Sequence, residues 1–288
     1  VSPAFRCVND GEFDDILDYF EGIKYSATDY KGPVLLANGG EDAFPFKVET
    51  DVTTDLFDIA YYKHYKIITN HFVNKTYLLY LCGTLDRVPA EELEEGKHHL
   101  VVSVPHTGKV AITETPQIPF LELLGLRREV IAYIGDPQWV SSPCLNYLIN
   151  EESSIQVVFD SQDPFNVSTN QALRAQFIEQ NPDVIIFGGP YDGMDDNRTV
   201  IMAATQERST VATFDWIGFF AAFFNLEAKS NQIASETKAR FDCASSNAAT
   251  LTADRPVKDR PVVLWANYFD GYNWSMAECP TWDAAFCK

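Results

Sequence analysis

The chain has 288 residues, 41 acidic against 22 basic, for a formal net charge of −19. Apolar residues make up 46 % and aromatics 13 %, which supports a substantial core and excludes a disordered chain. The acidic balance excludes a general nucleic-acid binder, which needs surplus Lys and Arg against phosphates, and disfavours docking on anionic lipid.

The longest apolar stretch, Trp216 to Phe224, is about half of the roughly 18 residues that span a bilayer. The opening Val1-Ser2-Pro3 fits a mature secreted protein whose signal peptide has been removed, and equally a chain trimmed for expression. Six cysteines (Cys7, Cys82, Cys144, Cys243, Cys279 and Cys287) suit disulfides in an oxidising compartment, with buried free thiols as the other reading. None form a C-x-x-C pair, and spacing does not choose among the pairings. Sequons at Asn74, Asn166, Asn197 and Asn273 add a weak secretory signal.

In chain order, residues 1–60 are acidic and turn-rich. Asp58 to Asn70 and Thr76 to Cys82 are dense in β-branched and aromatic residues around the polar break Asn74-Lys75, and read as a hairpin over about 57–82. Residues 86–97 are a charged connector. From His98 a repeating unit begins. Leu100 to Val104 is a short apolar run fit for a strand buried on both faces, followed by a loop through Pro105 and a helix from Ile118 to Leu124 closed by Gly125. Strands at Val130–Ile134, Ile155–Phe159 and Val184–Phe187 follow. Between them, Pro143 starts one helix and residues 171–179 form another. This alternation means βαβ units and a mostly parallel sheet, hence an α/β fold. Past Thr213, an apolar helix over Trp216–Phe224 leads into a long amphipathic helix, and Arg260 to Trp265 starts a new strand.

Taken in order, several segments resemble the class III solute-binding proteins of ABC transporters, in the cobalamin and ferric-siderophore branch. The segments are Tyr61 to Leu81, Val101-Val-Ser-Val-Pro-His-Thr107 with Phe120-Leu-Glu-Leu-Leu-Gly125, Val130 to Pro143, Asn181-Pro-Asp-Val-Ile-Ile-Phe187 and Asp215 to Phe224. Together with the secretory signals, the set is similar to the cobalamin acquisition and siderophore-binding proteins of algae and diatoms. The resemblance implies two α/β lobes with parallel sheets, joined by a long rigid helix and closing on the ligand. On this chain it places an N-terminal segment at 1–97, the first lobe at 98–214, the helix at 215–252 and the start of a second lobe at 261–288. Those last 28 residues are short against a first lobe of about 115, so the second lobe is expected to be incomplete in this chain.

In open parallel sheets, ligands sit beyond the carboxyl ends of the strands. Residues 105–113, 135–142, 160–165, 188–194 and 268–274 are therefore the expected site loops. They bring His106, Thr107, Asp136, Trp139, Phe165, Tyr191, Tyr268, Phe269, Tyr272 and Trp274 as candidate binding residues, with aromatic faces for a large flat ligand and polar tips for its rim. Trp216 joins the set, although its place on an apolar helix favours the core. Gly188, Gly189 and Gly193 offer backbone N–H groups to a ligand or simply form a tight turn. Asp136, Asp163, Asp192, Asp195 and Asp196 read as solvated. No metal ligand set is expected, since His106 lacks partners.

Anionic ferric chelates call for convergent Arg or Lys, and the loops offer Lys109 and Arg198 at most. Cobalamin is therefore the first expected ligand and a ferric hydroxamate siderophore the second, captured outside the cell for a membrane transporter or receptor. No H-E-x-x-H, G-x-S-x-G or P-loop motif is present, so an enzyme is not expected. A cell-surface glycoprotein without ligand, or a metal-dependent hydrolase, is the competing class.

Overall fold

The computed structural model describes residues 44, 46–49, 54–106, 109–164, 166–192, 196–253, 256, 266–268 and 274–276. Three strands rich in β-branched and aromatic residues, β1 (Phe57–Tyr61), β2 (Tyr65–Asn70) and β3 (Lys75–Leu81), form an antiparallel meander. The single run expected from Asp58 to Asn70 is thus two strands. Tyr62 N–H donates to Tyr65 C=O at 2.8 Å, closing a turn that carries no Gly or Pro to announce it. The β2–β3 turn is built on Asn residues. The Asn70 carboxamide oxygen accepts from the N–H groups of Phe72 and Val73, and Asn74 takes the left-handed conformation at φ 52°.

The strand β4 (Leu100–Val104) pairs in parallel with β3, Tyr77 opposite Leu100 and Leu81 opposite Val104. It completes the first sheet, in the order β1-β2-β3-β4. This corrects the expectation that Leu100–Val104 opens the parallel sheet of the repeating unit. That place belongs to a three-residue strand, β5 (Val110–Ile112), too short to stand out as an apolar run.

The chain is an α/β protein. Its second sheet is wholly parallel and ordered β7-β6-β5-β8-β9, with β6 at Val130–Tyr133, β7 at Gln156–Val157, β8 at Ile185–Gly188 and β9 at Thr199–Ile201. Helices α1 (Ile118–Leu123), α2 (Pro143–Asn150) and α3 (Val167–Gln180) lie between these strands in sequence. α3 begins four residues before the expected start, because the Asn166 carboxamide caps it by accepting from Thr169 N–H at 3.1 Å. β5 lies at the centre, β6 and β7 extend to one side and β8 and β9 to the other. The order therefore reverses between β5 and β8.

The two sheets are joined by α4 (Thr210–Ala222), which Ser209 caps through Ala212 N–H. Over residues 216–222 this helix is apolar on all sides and is buried on all sides. Phe219 and Phe223 pack on Tyr77 of β3, while Phe220 meets Phe187 of β8 at a ring separation of 4.6 Å. Sheet-to-sheet hydrogen bonds reinforce the contact: Ile201 N–H donates to the Tyr77 hydroxyl, and the Asn70 amide donates to Ile201 C=O. The expected continuous run into the long helix is broken at Asn225, which takes φ 51° before α5 (Glu227–Thr252). At that break, fully buried Lys66 of β2 pairs with Glu227 at 2.5 Å and donates to the Asn225 side chain. A short antiparallel pair, β10 (Ala266–Tyr268) with β11 (Trp274–Met276), ends the described chain.

Candidate functional site at the strand-order reversal

β5 ends in Thr113-Glu114-Thr115-Pro116-Gln117, which turns at once into α1. The turn is fixed by Gln117, whose side-chain oxygen accepts from the N–H groups of Thr113 (3.1 Å) and Glu114 (3.2 Å). That use of the oxygen leaves the Gln117 Nε2 amide buried without a protein partner, and the Thr113 hydroxyl is in the same state. Buried polar groups are almost always satisfied, so two unsatisfied ones in a single loop mark where a hydrogen-bonding ligand or water would fit.

Across the reversal, β8 ends in Gly188-Gly189-Pro190-Tyr191-Asp192. A Cβ at Gly189 would fall on the Glu114 carboxylate, and one at Gly188 would lie 2.7 Å from the Asp192 carboxylate. The two glycines therefore make room for carboxyl groups of the chain itself. Burial, and then the neighbouring Asp192, push the Glu114 carboxyl above the ordinary range. Tyr133, at the end of β6, is pushed up to about 12, first by burial and then by Asp136 and Glu114.

Aromatic groups flank this edge. Tyr191 is 77 % exposed and donates to the Gln206 side chain at 3.1 Å, tying the loop after β8 to the turn after β9. Phe72, from the β2–β3 turn of the other sheet, meets the Tyr191 ring edge-on at 6.3 Å. Trp139, 67 % exposed, stands on the turn after β6, which Asp136 caps by accepting from Gln138 N–H. Asp136, Trp139 and Tyr191 thus share the carboxyl edge of the parallel sheet, together with Thr113, Glu114, Gln117, Phe72 and Gln206. The latter five carry no signal of their own. Residues 105–113, expected as a single site loop, instead contain β5, and only Thr113 of them reaches the carboxyl edge.

His106 lies at the other edge. Because β5 intervenes after β4, residue 106 precedes the amino end of the parallel sheet, in company with Lys109, Asp183 and Arg198. Its Nε2 bonds to Lys109 C=O at 3.1 Å, its ring packs on Phe224, and burial lowers its pKa. Trp216 is a core residue: it is fully buried, and its indole N–H donates to Glu207, which also accepts from the Thr54 hydroxyl. Asp192 and Asp196 are not solvated groups. Arg174 of α3 donates to both oxygens of Asp192 at 2.8 and 2.9 Å and to Asp196 at 3.0 Å, pinning the β8–β9 connection. Asp163 supports the α3 cap through Asn166.

Thr107, Phe165, Gly193, Asp195, Phe269, Tyr272 and Asn273 lie outside the described residues. Tyr268 and Trp274 are partners in the backbone register of β10 and β11. Asn74 and Asn197 are exposed. Cys144 and Cys243 are free, and Cys82 is disulfide-bonded. Among the described residues, no helix is long and apolar enough to cross a membrane, and no group of three or more His, Cys, Asp and Glu is placed to hold a metal ion. No protein-family model and no curated protein matches the chain.

Proposed function

We propose that the chain is a non-enzymatic solute-binding protein of the class III type, acting outside the cell or at its surface. Its ligand is a bulky uncharged metal complex, cobalamin, taken at the carboxyl edge between β5 and β8. One observation carries this reading: the strand-order reversal, where α/β sheets bind ligands, holds two buried polar atoms without partners. The Gln117 amide is a donor and the Thr113 hydroxyl both donor and acceptor, a set that suits the carboxamide rim of a corrinoid. Trp139, Tyr191 and Phe72 supply the apolar faces.

Charge supports an uncharged ligand. Among the described residues the edge presents Glu114, Asp136 and Asp192, and the Arg174 guanidinium is engaged by Asp192 and Asp196. An anionic chelate would meet these carboxylates, with the Arg174 guanidinium already engaged. A neutral ferric hydroxamate satisfies the same requirement and is the second ligand to test.

Both candidate ligands absorb visible light. After incubation with cyanocobalamin or ferrichrome and desalting, the protein fraction is expected to retain the cobalamin spectrum, and titration is expected to quench tryptophan fluorescence. Gln117→Ala is expected to reduce retention. A protein fraction left colourless by both ligands would overturn the proposal.

A further inference from the structure

We infer that the outer edge of β4 is a docking site for an extended acidic peptide, added as a further strand. The site lies at the amino edge of the parallel sheet and does not depend on the ligand reading above. Among the described residues, β4 is the terminal strand of its sheet and is paired on one side, by β3. Exposed strand edges are usually blunted by charge, proline or a covering element. Leu100–Val104 contains neither a charge nor a proline, and Val101 is 42 % exposed.

Leu100, Val101, Val102 and Ser103 instead line a groove of about 710 Å³, whose far wall is the amino edge of the parallel sheet. The wall carries two permanent cations in an otherwise acidic protein: Lys109 and Arg198 line it, with Asp183 the acid among the described lining residues. Lys109 lies 3.6 Å from Asp183, while the Arg198 guanidinium has no acidic partner among the described residues. His98, also on the lining, is already held by Glu92 and Thr76. A strand laid along β4 gains main-chain hydrogen bonds from the edge, and its acidic side chains meet Arg198 and Lys109. A small anion would use the cations and leave the strand edge idle.

The test is fluorescence anisotropy with a labelled peptide of alternating Glu and Val. The full chain carries Asn197→Gln, so that no glycan stands at the rim of the groove. The acidic peptide is expected to bind saturably and its Lys/Val counterpart not to bind. The double variant Lys109→Ala, Arg198→Ala is expected to weaken binding about tenfold or more. N-methylation of alternate peptide nitrogens is expected to abolish binding, a readout that leaves the protein untouched. Absence of saturable binding would overturn the inference. So would equal binding of the N-methylated peptide, or displacement of the peptide by an equal concentration of inorganic phosphate, either of which would mark a simple anion site. Cobalamin retention by the same variant is a separate readout at the opposite edge and is expected to stay unchanged.

Discussion

Single side chains separate the carboxyl edge of the parallel sheet from the core. Trp139 and Tyr191 are both largely exposed, so their replacement by Ala is expected to leave the melting temperature nearly unchanged. Each is expected to weaken cobalamin binding by about 1–3 kcal/mol, read by fluorescence titration. Trp216→Ala should do the reverse in a denaturant melt, losing about 3–5 kcal/mol of stability, since it empties a fully buried site and removes one of the two donors to the Glu207 carboxyl. Two titratable groups give pH effects of opposite sign. Glu114, raised by burial, favours the protonated form in the fold. Its contribution is complete below the ordinary value of 4.5 and is lost as pH rises through the raised value, so Glu114→Gln should stabilise the protein at neutral pH and not in acid. His64 is lowered to about 4, first by burial and then by Lys63 and Arg87. It favours the neutral form, so its contribution is present above 6.5 and is lost as pH falls towards about 4. Urea titrations of wild type, Glu114→Gln and His64→Gln across that range check both signs.

Elements are joined by a few buried polar links as well as by the phenylalanines of α4. The pair Lys66–Glu227 fastens β2 to the start of α5, with both side chains almost wholly out of water. Burial pushes the Glu227 carboxyl upward, and Lys66 opposes this by holding it charged. Lys66→Met leaves that carboxyl unpaired and should destabilise the protein by about 3–5 kcal/mol. Adding Glu227→Met should recover most of the loss, because two apolar side chains of similar volume replace the pair. Equal stability losses in the single and double variants, measured by chemical denaturation, would show that the pair itself is not the source. Arg174 acts in a similar way on α3. By holding Asp192, Asp196 and Thr199 it fixes the connection that presents Tyr191.

Across the whole molecule, the two edges of one parallel sheet carry opposite chemistry. The carboxyl edge gathers carboxyl groups, amides and aromatics, whereas the amino edge places Lys109 and Arg198 across a groove from β4. Ligand binding at the carboxyl edge should raise overall stability by mass action. A cobalamin concentration of about 100 times Kd corresponds to about 2.7 kcal/mol, read as a rise in the thermal midpoint. A midpoint that stays flat across a cobalamin titration that saturates the fluorescence signal would mean the ligand binds the unfolded chain equally well.

The α/β class was legible because its signals are local: short apolar runs, Pro and Asn at helix starts, and a regular alternation of strand and helix. The parallel pattern at Val130 and Val184 followed from residue types alone. Which strand opened the sheet was not legible. Leu100–Val104 and Val110–Ile112 are both apolar, and the longer run looks like the better strand, but only the pairing of Tyr77 with Leu100 decides that it belongs with the hairpin. That one assignment moves His106 to the amino edge and puts Thr113, Glu114 and Gln117 at the site. Glu114 and Gly189 are 75 positions apart, and nothing in either neighbourhood announces that one is glycine so that the other has room. Sequence fixes what each segment can form by itself, while contacts between distant segments depend on the order in which strands come together, which is a property of the folded molecule only.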